Sequence, residues 1–435
     1  MGAAGRATGI DGLIVSSTRE LRLGLVANAP QFWLLVLVNA FVGSMVGLER
    51  EVVPLMGERT FGLDSQTAIV SFIVTFGLTK ALTNLYAGRT ADRTGRKPLL
   101  VAGWLVALPI PFLIIFAPSW GWIVFANVLL GINQGLCWSM TVVMKIDLVG
   151  PKQRGLAMGL NEFAGYLAVG VTAYVSGVIA QAYGLRPWPF VLGIAVSLVA
   201  LALSAFAVRE THGHARFEAA QRSGTTSSPS SPAVRFASLF ATVSWRDRTL
   251  SSISQAGLVN NLNDGLAWGI LPLYFAASGL DVGRIAVLSA VYPATWGILQ
   301  AGTGALSDRL GRKWMIASGM CLQALAIALF LSHAGFALWL VAAILLGLGT
   351  ALVYPTLLAA IGDAVEPSVR ASAVGVYRLW RDSGYAIGAL ISGIIADRLG
   401  QSSAIGVVAA LTFLSGVVVA VRMRETHPRT TESVR

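Results

Sequence analysis

The sequence predicts an all-α membrane protein built as two pseudo-symmetric six-helix bundles around a central cavity. Three observations predict it. The 435 residues are 55% hydrophobic and only 12% charged, with a mean hydropathy of +0.69, whereas soluble domains carry about 25% charged residues. Apolar runs of the ~20 residues needed to cross a hydrocarbon layer recur along the chain. They are continuous rather than alternating, which points to helices and not barrel strands. The chain also repeats itself: Gly88-Arg-Thr-Ala-Asp-Arg-Thr-Gly-Arg-Lys97 returns 216 residues later as Gly304-Ala-Leu-Ser-Asp-Arg-Leu-Gly-Arg-Lys313.

The repeat extends beyond the decapeptide. Leu129-Leu-Gly131 and Leu345-Leu-Gly347 share its offset, as do Asp147 and Asp363, Arg154 and Arg370, and Ser176-Gly177 and Ser392-Gly393. Six spans carry the register, so the halves run parallel about an axis along the membrane normal, with the substrate site between them near the midplane. We read residues 1–30 as a tail, 31–208 as the first bundle, 209–249 as a linker, 250–421 as the second bundle and 422–435 as a C-terminal tail. The predicted spans 1–6 are 31–53, 66–87, 99–117, 121–146, 155–180 and 189–208. Spans 7–12 are 250–276, 283–303, 314–333, 336–361, 371–396 and 402–421. The linker holds a Ser/Thr/Pro-rich run at 225–232, read as flexible.

A net charge of +11 could suggest nucleic acid, but its distribution argues for a membrane topology. With both termini cytoplasmic, the inner segments hold 23 of the 32 Lys and Arg, and five (Arg50, Arg59, Arg186, Arg284 and Arg398) fall outside. That is the positive-inside bias, and it places the chain as a multi-pass protein of the cytoplasmic membrane. Cys137 and Cys321 fall inside spans without metal or disulfide spacing and read as packing residues. No phosphate loop, nucleophile constellation or metal cluster appears, so neither an enzyme nor an ATP-driven pump is expected, and no cofactor or metal is needed. His212 and His214 are expected in solvent.

The decapeptides resemble the loop signature of the major facilitator superfamily, between helices 2 and 3 and again between helices 8 and 9. Their matching residues are Gly88, Asp92, Arg93, Gly95, Arg96 and Lys97, then Gly304, Asp308, Arg309, Gly311, Arg312 and Lys313. The resemblance implies gating loops rather than substrate contacts. Asp92 would bind the start of span 11, and Asp308 the start of span 5. Arg96 and Arg312 would pair with Asp147 and Asp363, and these contacts would break when the cytoplasmic side opens. The chain departs from the drug:proton antiporters of that family. Asn127 stands where they carry an Arg in span 4, and Gly170-Val171 where span 5 has Gly-Pro.

Ionisable groups inside spans face a cavity and mark function by default. Asp264, mid-span with amides nearby, is read as the first candidate for proton coupling or as a carboxylate neutralised by an Arg from span 11, and Glu162 is the second candidate. Glu162 and Arg378 occupy equivalent repeat positions and are read as pairing in one state and separating in another, or as a fixed tie between the halves. Lys80 and Asp382 lie on spans 2 and 11, neighbours in the family, and are expected to pair directly. Glu49, Arg50 and Glu51 are read as solvated rim charges. Asn133, Gln134, Trp138, Asn260, Asn261, Lys80, Arg378, Arg381 and Asp382 are the candidate cavity lining. Gly384 with Gly388, and Gly155 with Gly159, have the spacing for close helix contact.

The reading is a proton-coupled secondary transporter that moves a small solute by alternating access, as a monomer, leaning toward efflux. An uptake symporter for a polar or anionic nutrient, and a transporter-like sensor, stay open beside it. Protons, a small solute and the bilayer are its expected partners, and nucleic acid is not.

Overall fold

The computed structural model describes residues 22–149, 154–215, 217, 236–332, 335–365 and 370–426. The Ser/Thr/Pro-rich run of the linker and most of both tails lie outside them. Among the described residues the chain is helical and has no strand. Nine helical segments are long and apolar enough to cross a membrane. The remaining three spans are helical at Arg248–Gly269, Arg312–Leu329 and Arg370–Leu399. Two of these carry the polar groups Asn260 to Asp264 and Arg378 to Asp382, which lower their apolarity.

Two spans are broken where the repeat places a proline. Span 1 is Ala29–Gly47 followed by Val52–Arg59, and span 7 is Arg248–Gly269 followed by Leu271–Ala277. Pro54 and Pro272 sit in the first turn of the second pieces, where a missing N–H costs least. The break in span 1 exposes backbone to Glu49, Arg50 and Glu51, which are buried in protein, as irregular chain at membrane depth must be.

Span 2 runs Ser71–Thr94 and span 8 Val282–Leu310. The decapeptides were expected to be loops, but most of each is the last two turns of a helix. The chain reverses on one residue, Gly95 at φ 89° and Gly311 at φ 89°, a left-handed backbone that glycine adopts without strain. Span 3, Lys97–Ala107 with Pro109–Ile115, and span 9 begin at once beyond it.

The halves pack identically inside: span 1 on 5 and 2 on 4, matched by 7 on 11 and 8 on 10. They meet along two seams related by the same symmetry, span 5 against 8 and span 2 against 11. Small residues set the seams. A Cβ on Gly170 would lie 2.8 Å from Ala290 O, on Gly297 2.8 Å from Leu167 N, and on Gly393 2.8 Å from Val70 Cγ2. Toward the face that carries the Gly95 and Gly311 turns, here the basic face, the seams part. Among the described residues, a Cβ on Gly159, Gly302, Gly304 or Gly375 would meet nothing within 4 Å there. Gly159 was expected to bring helices together and does not. Gly384 and Gly388 do, against the Leu258 and Leu262 backbone of span 7.

This contrast is testable. Gly388→Val overpacks the span 7–11 contact, which typically costs about 1–3 kcal/mol, so the thermal midpoint in detergent should fall by several degrees. Gly375→Ala, on the same helix in open space, should leave it unchanged. Equal midpoints for both would show that the close contact is not formed.

Candidate functional site

Two turns anchor the basic face. In the first half Arg96 Nε lies 3.1 Å from Asp147 Oδ2, and in the second Arg312 Nε lies 3.0 Å from Asp363 Oδ2. Each pair lies within its own half and is intact although the basic face is open. In this state they brace spans 2 to 4 and 8 to 10, each within its own half. The side chains of Asp92, Arg93 and Asp308, and the surroundings of Gly88, lie outside the described residues. Arg309 is exposed.

Two acids missed in the sequence complete the turns. Glu210 accepts from the backbone N–H of Arg96 (3.1 and 3.0 Å) and Lys97 (2.9 Å), capping span 3. Glu425 accepts from Arg312 (2.8 Å) and Lys313 (3.2 Å), capping span 9. These are the orphan donors and positive dipole end of a helix start. Burial opposes the Glu210 charge, but the amides of Arg96, Lys97, His212 and Thr211 prevail and hold its carboxyl below the ordinary range. The signal was present: Arg-Glu-Thr-His at 209–212 recurs at 424–427.

The far face is shut by contacts across the halves. Asp397, just beyond span 11 at the far end of its helix, accepts from Ser65 Oγ (2.8 Å) and from the backbone N–H of Gln66 and Thr67 (3.0 Å for Thr67), so it caps the short helix Gln66–Ile69 that leads into span 2 of the other half. Gln401 bonds Gln66 at 3.0 Å. Leu55, Ile69 and Leu273 pack beneath.

Between the faces lies a charged, aromatic layer. Arg50 Nη2 from the break in span 1 meets Asp264 Oδ1 of span 7 at 2.6 Å, both nearly fully buried. This corrects two expectations. Arg50 is no rim charge, and Asp264 is no lone acid. Glu49 is likewise buried, its Oε2 taking 2.7 Å from Asn127 Nδ2. Glu51 is buried with both oxygens unbonded, wedged against Gly177 of span 5 and Ala286 of span 8. The three were misread because the helix break, which turns them inward, leaves no mark in their own hydropathy.

Asp382 is held by Arg381 Nη2 (2.7 Å) and by Asn84 Nδ2 (2.7 Å), which Ser139 bonds in turn (2.7 Å). Lys80 does not pair with Asp382. Its Nζ stands 5.5 Å from the Phe76 ring, 5.4 Å from Trp138 and 5.2 Å from Tyr385. Glu162 Oε1 accepts from Trp138 Nε1 (3.0 Å) and Asn161 Nδ2 (3.0 Å), with Oε2 unbonded. Among the described residues Glu162 and Arg378 form no ion pair in this state, and Arg378 Nε has no acceptor.

Four amides read as cavity lining prove to be packing groups of one half or the other. Asn133 bonds Gly103 O (3.0 Å) and Gln134 bonds Val42 O (2.8 Å), inside the first half. Asn260 accepts from Gln323 (3.0 Å) and donates to Asn261 (3.4 Å), inside the second. Trp138 does line the layer. Beside it stand rings the sequence reading missed: Tyr166 stacks on Trp296 across the seam at 3.5 Å, and Tyr354 and Tyr292 flank Trp296. Trp296 is the repeat equivalent of Lys80, and Tyr166 of Asp382, so two polar groups of this layer have a ring at the equivalent position of the other half.

The model of the Major Facilitator Superfamily matches residues 32–252 and 253–434. Multidrug resistance protein MdtL of Shewanella oneidensis is 31% identical over 144 residues, covering 32% of this chain and 34% of that protein. The chain thus aligns with about a third of that relative's length. An uncharacterised MFS-type transporter of Salmonella typhimurium is 22% identical over 79% of this chain and 84% of its own length. Among solved structures, the nucleoside transporter NupG superposes with TM-score 0.70 at 12% identity, covering 91% of this chain and 100% of that one, which is a likeness of fold alone.

Acid should loosen the far-face latch. Burial opposes the Asp397 charge, but Thr67, Ser65 and the Gln66 amide prevail and hold its carboxyl below the ordinary 3.8. Latch strength is therefore complete above that ordinary value and lost as pH falls through the depressed one. Asp397→Asn should make a cysteine at Thr67 label faster at pH 7, and remove the acid dependence. Labelling that is slow and identical in both proteins would rule the latch out.

Proposed function

The chain belongs to the major facilitator superfamily, and from that premise we propose that it is a proton-coupled secondary transporter that exports a small solute by alternating access. The observation that carries the reading is the asymmetry of the two seams, closed from the midplane to the far face and parted at the basic face. A protein whose halves rock about a central layer has two such states, and a solute shifts their balance only through unequal affinity for them. The positive-inside bias makes the basic face cytoplasmic, so this state opens inward. The reading needs no cofactor and treats the protein as a monomer of the inner membrane.

Proton coupling needs a carboxylate whose solvation changes between the states. Asp264 is neutralised by Arg50, and Glu49 is bonded by Asn127. Glu51 fits better. It is dry here, unbonded, and lodged in the far-face seam, so opening that seam would wet it. Glu162, with one oxygen unbonded beside Trp138, is the second coupling group. Export is favoured by the multidrug-resistance relative. Uptake of an anionic nutrient is the second reading, favoured by Lys80, which has no carboxylate partner among the described residues, and by Asn127 in place of the antiporter Arg.

Flux in proteoliposomes with an imposed pH gradient, screened over a solute panel and followed with an internal pH dye, tests this. Solute-dependent proton movement is expected, and Glu51→Gln should abolish gradient-driven flux while keeping solute exchange. Driven flux at the original rate in that variant would remove Glu51 from coupling, and solute movement indifferent to the gradient would end the proton reading.

A further inference from the structure

Resting on that transport reading, we infer that Lys80 and the rings around it dock a planar organic anion, an aryl carboxylate in chemical class. The argument begins with charge balance. Lys80 is 7% exposed, and an ammonium so placed ordinarily has a carboxylate partner. The carboxylates of this layer do not supply one: Asp264 is held by Arg50, Asp382 by Arg381 and Asn84, and Glu162 Oε1 by Trp138 and Asn161, while Glu162 Oε2, left unbonded, makes no ion pair with Lys80 among the described residues. Among the described residues Lys80 has no ion pair and no hydrogen bond, and ring faces at 5.2–5.5 Å are what steady it. An arriving anion supplies the missing partner through a charge-assisted hydrogen bond.

The same rings argue against the opposite cargo. An aromatic lining draws cations, but the faces here are taken. Arg50 lies over Trp268 at 5.7 Å and Tyr292 at 5.9 Å, and Arg381 over Tyr354 at 5.1 Å. Lys80 occupies Trp138 and Tyr385. A cation entering would meet three protein cations before it met an open ring. A flat anion instead sets its charge on Lys80 and lays its edge against Trp138, which is only part-buried and whose ring already meets Tyr166 at 5.2 Å, the edge-to-face manner in which aromatic rings pair. Lys80, Phe76 and Trp138 belong to the first half and Tyr385 to the second, so the guest would bridge the halves.

The test uses the full chain in lipid nanodiscs and three probes of one shape: 2-naphthoate, 2-naphthamide and 2-naphthylmethylammonium. Binding is read by quenching of tryptophan fluorescence. The anion should bind at least about tenfold more tightly than the amide, and the ammonium should bind weakest. Lys80→Gln should cost the anion about that tenfold and leave the amide unchanged, and Lys80→Arg should keep most anion affinity. A tighter ammonium, or equal anion binding in wild type and Lys80→Gln, overturns the proposal. The comparison among probes on the wild-type protein needs no variant, so a variant that folds poorly does not shield it. Labelling of a Thr67→Cys protein at pH 7 and below pH 3.8, the ordinary value of the Asp397 carboxyl, with no solute added, separates the two readings. A far face that opens while the three probes bind alike sinks this proposal and spares transport, and one that never opens sinks transport.

Discussion

The structure depends on one buried ion pair. Arg50 and Asp264 meet at 2.6 Å with 3% and 1% side-chain exposure, and they belong to different halves. Both charges are so far from water that neither could stand alone, because removing one partner of a buried pair typically costs about 3–5 kcal/mol. The pair exists because span 1 breaks at residues 48–51 and turns a charged tripeptide inward. It therefore ties a local fact of backbone, a proline that begins a second helix, to the global fact that the halves stay joined at mid-membrane. Around this tie everything else can rock.

What rocks is set by glycine and by caps. On the far side the helices approach to backbone contact through Gly170, Gly297 and Gly393, and Asp397 ends one half's helix on the other half's first turn. On the basic side each half closes on itself. Arg96 and Arg312 hold Asp147 and Asp363, and Glu210 and Glu425 cap the helices that follow the turns. Self-contained ends can separate without leaving charges unpaired. That division of labour explains why the basic turns are whole while the seam beside them is open.

Much of this was legible in the sequence. Twelve spans and two like halves follow from apolar runs and a 216-residue register, and the Arg96–Asp147 and Arg312–Asp363 partners were implied by the family resemblance of the decapeptides, with the two aspartates at that same offset. Where the reading failed, the cause was local geometry. Glu49, Arg50 and Glu51 looked like a rim because hydropathy cannot show a helix break that turns outward-counted residues inward. Asn133, Gln134 and Asn260 looked like lining because an amide on a cavity span bonds equally well to a neighbouring helix of its own half. The rings Tyr166, Trp296 and Tyr354 hid among other apolar residues, since their importance lies in which seam they face. The turns were read as loops because a charged helix end carries no periodic signal to extend the span before it.

The central claim is that the two faces open in turn about the Arg50–Asp264 tie. Pulsed spin-label distances in lipid nanodiscs test it most directly, with one pair at Gln66 and Gln401 on the far face and another at Gly159 and Gly302 on the basic face. Between pH 7 and a pH below the ordinary 3.8 of the Asp397 carboxyl the account requires opposite changes, the first pair lengthening as the second shortens. Distances that lengthen together, or a far-face pair fixed in every condition, would contradict it.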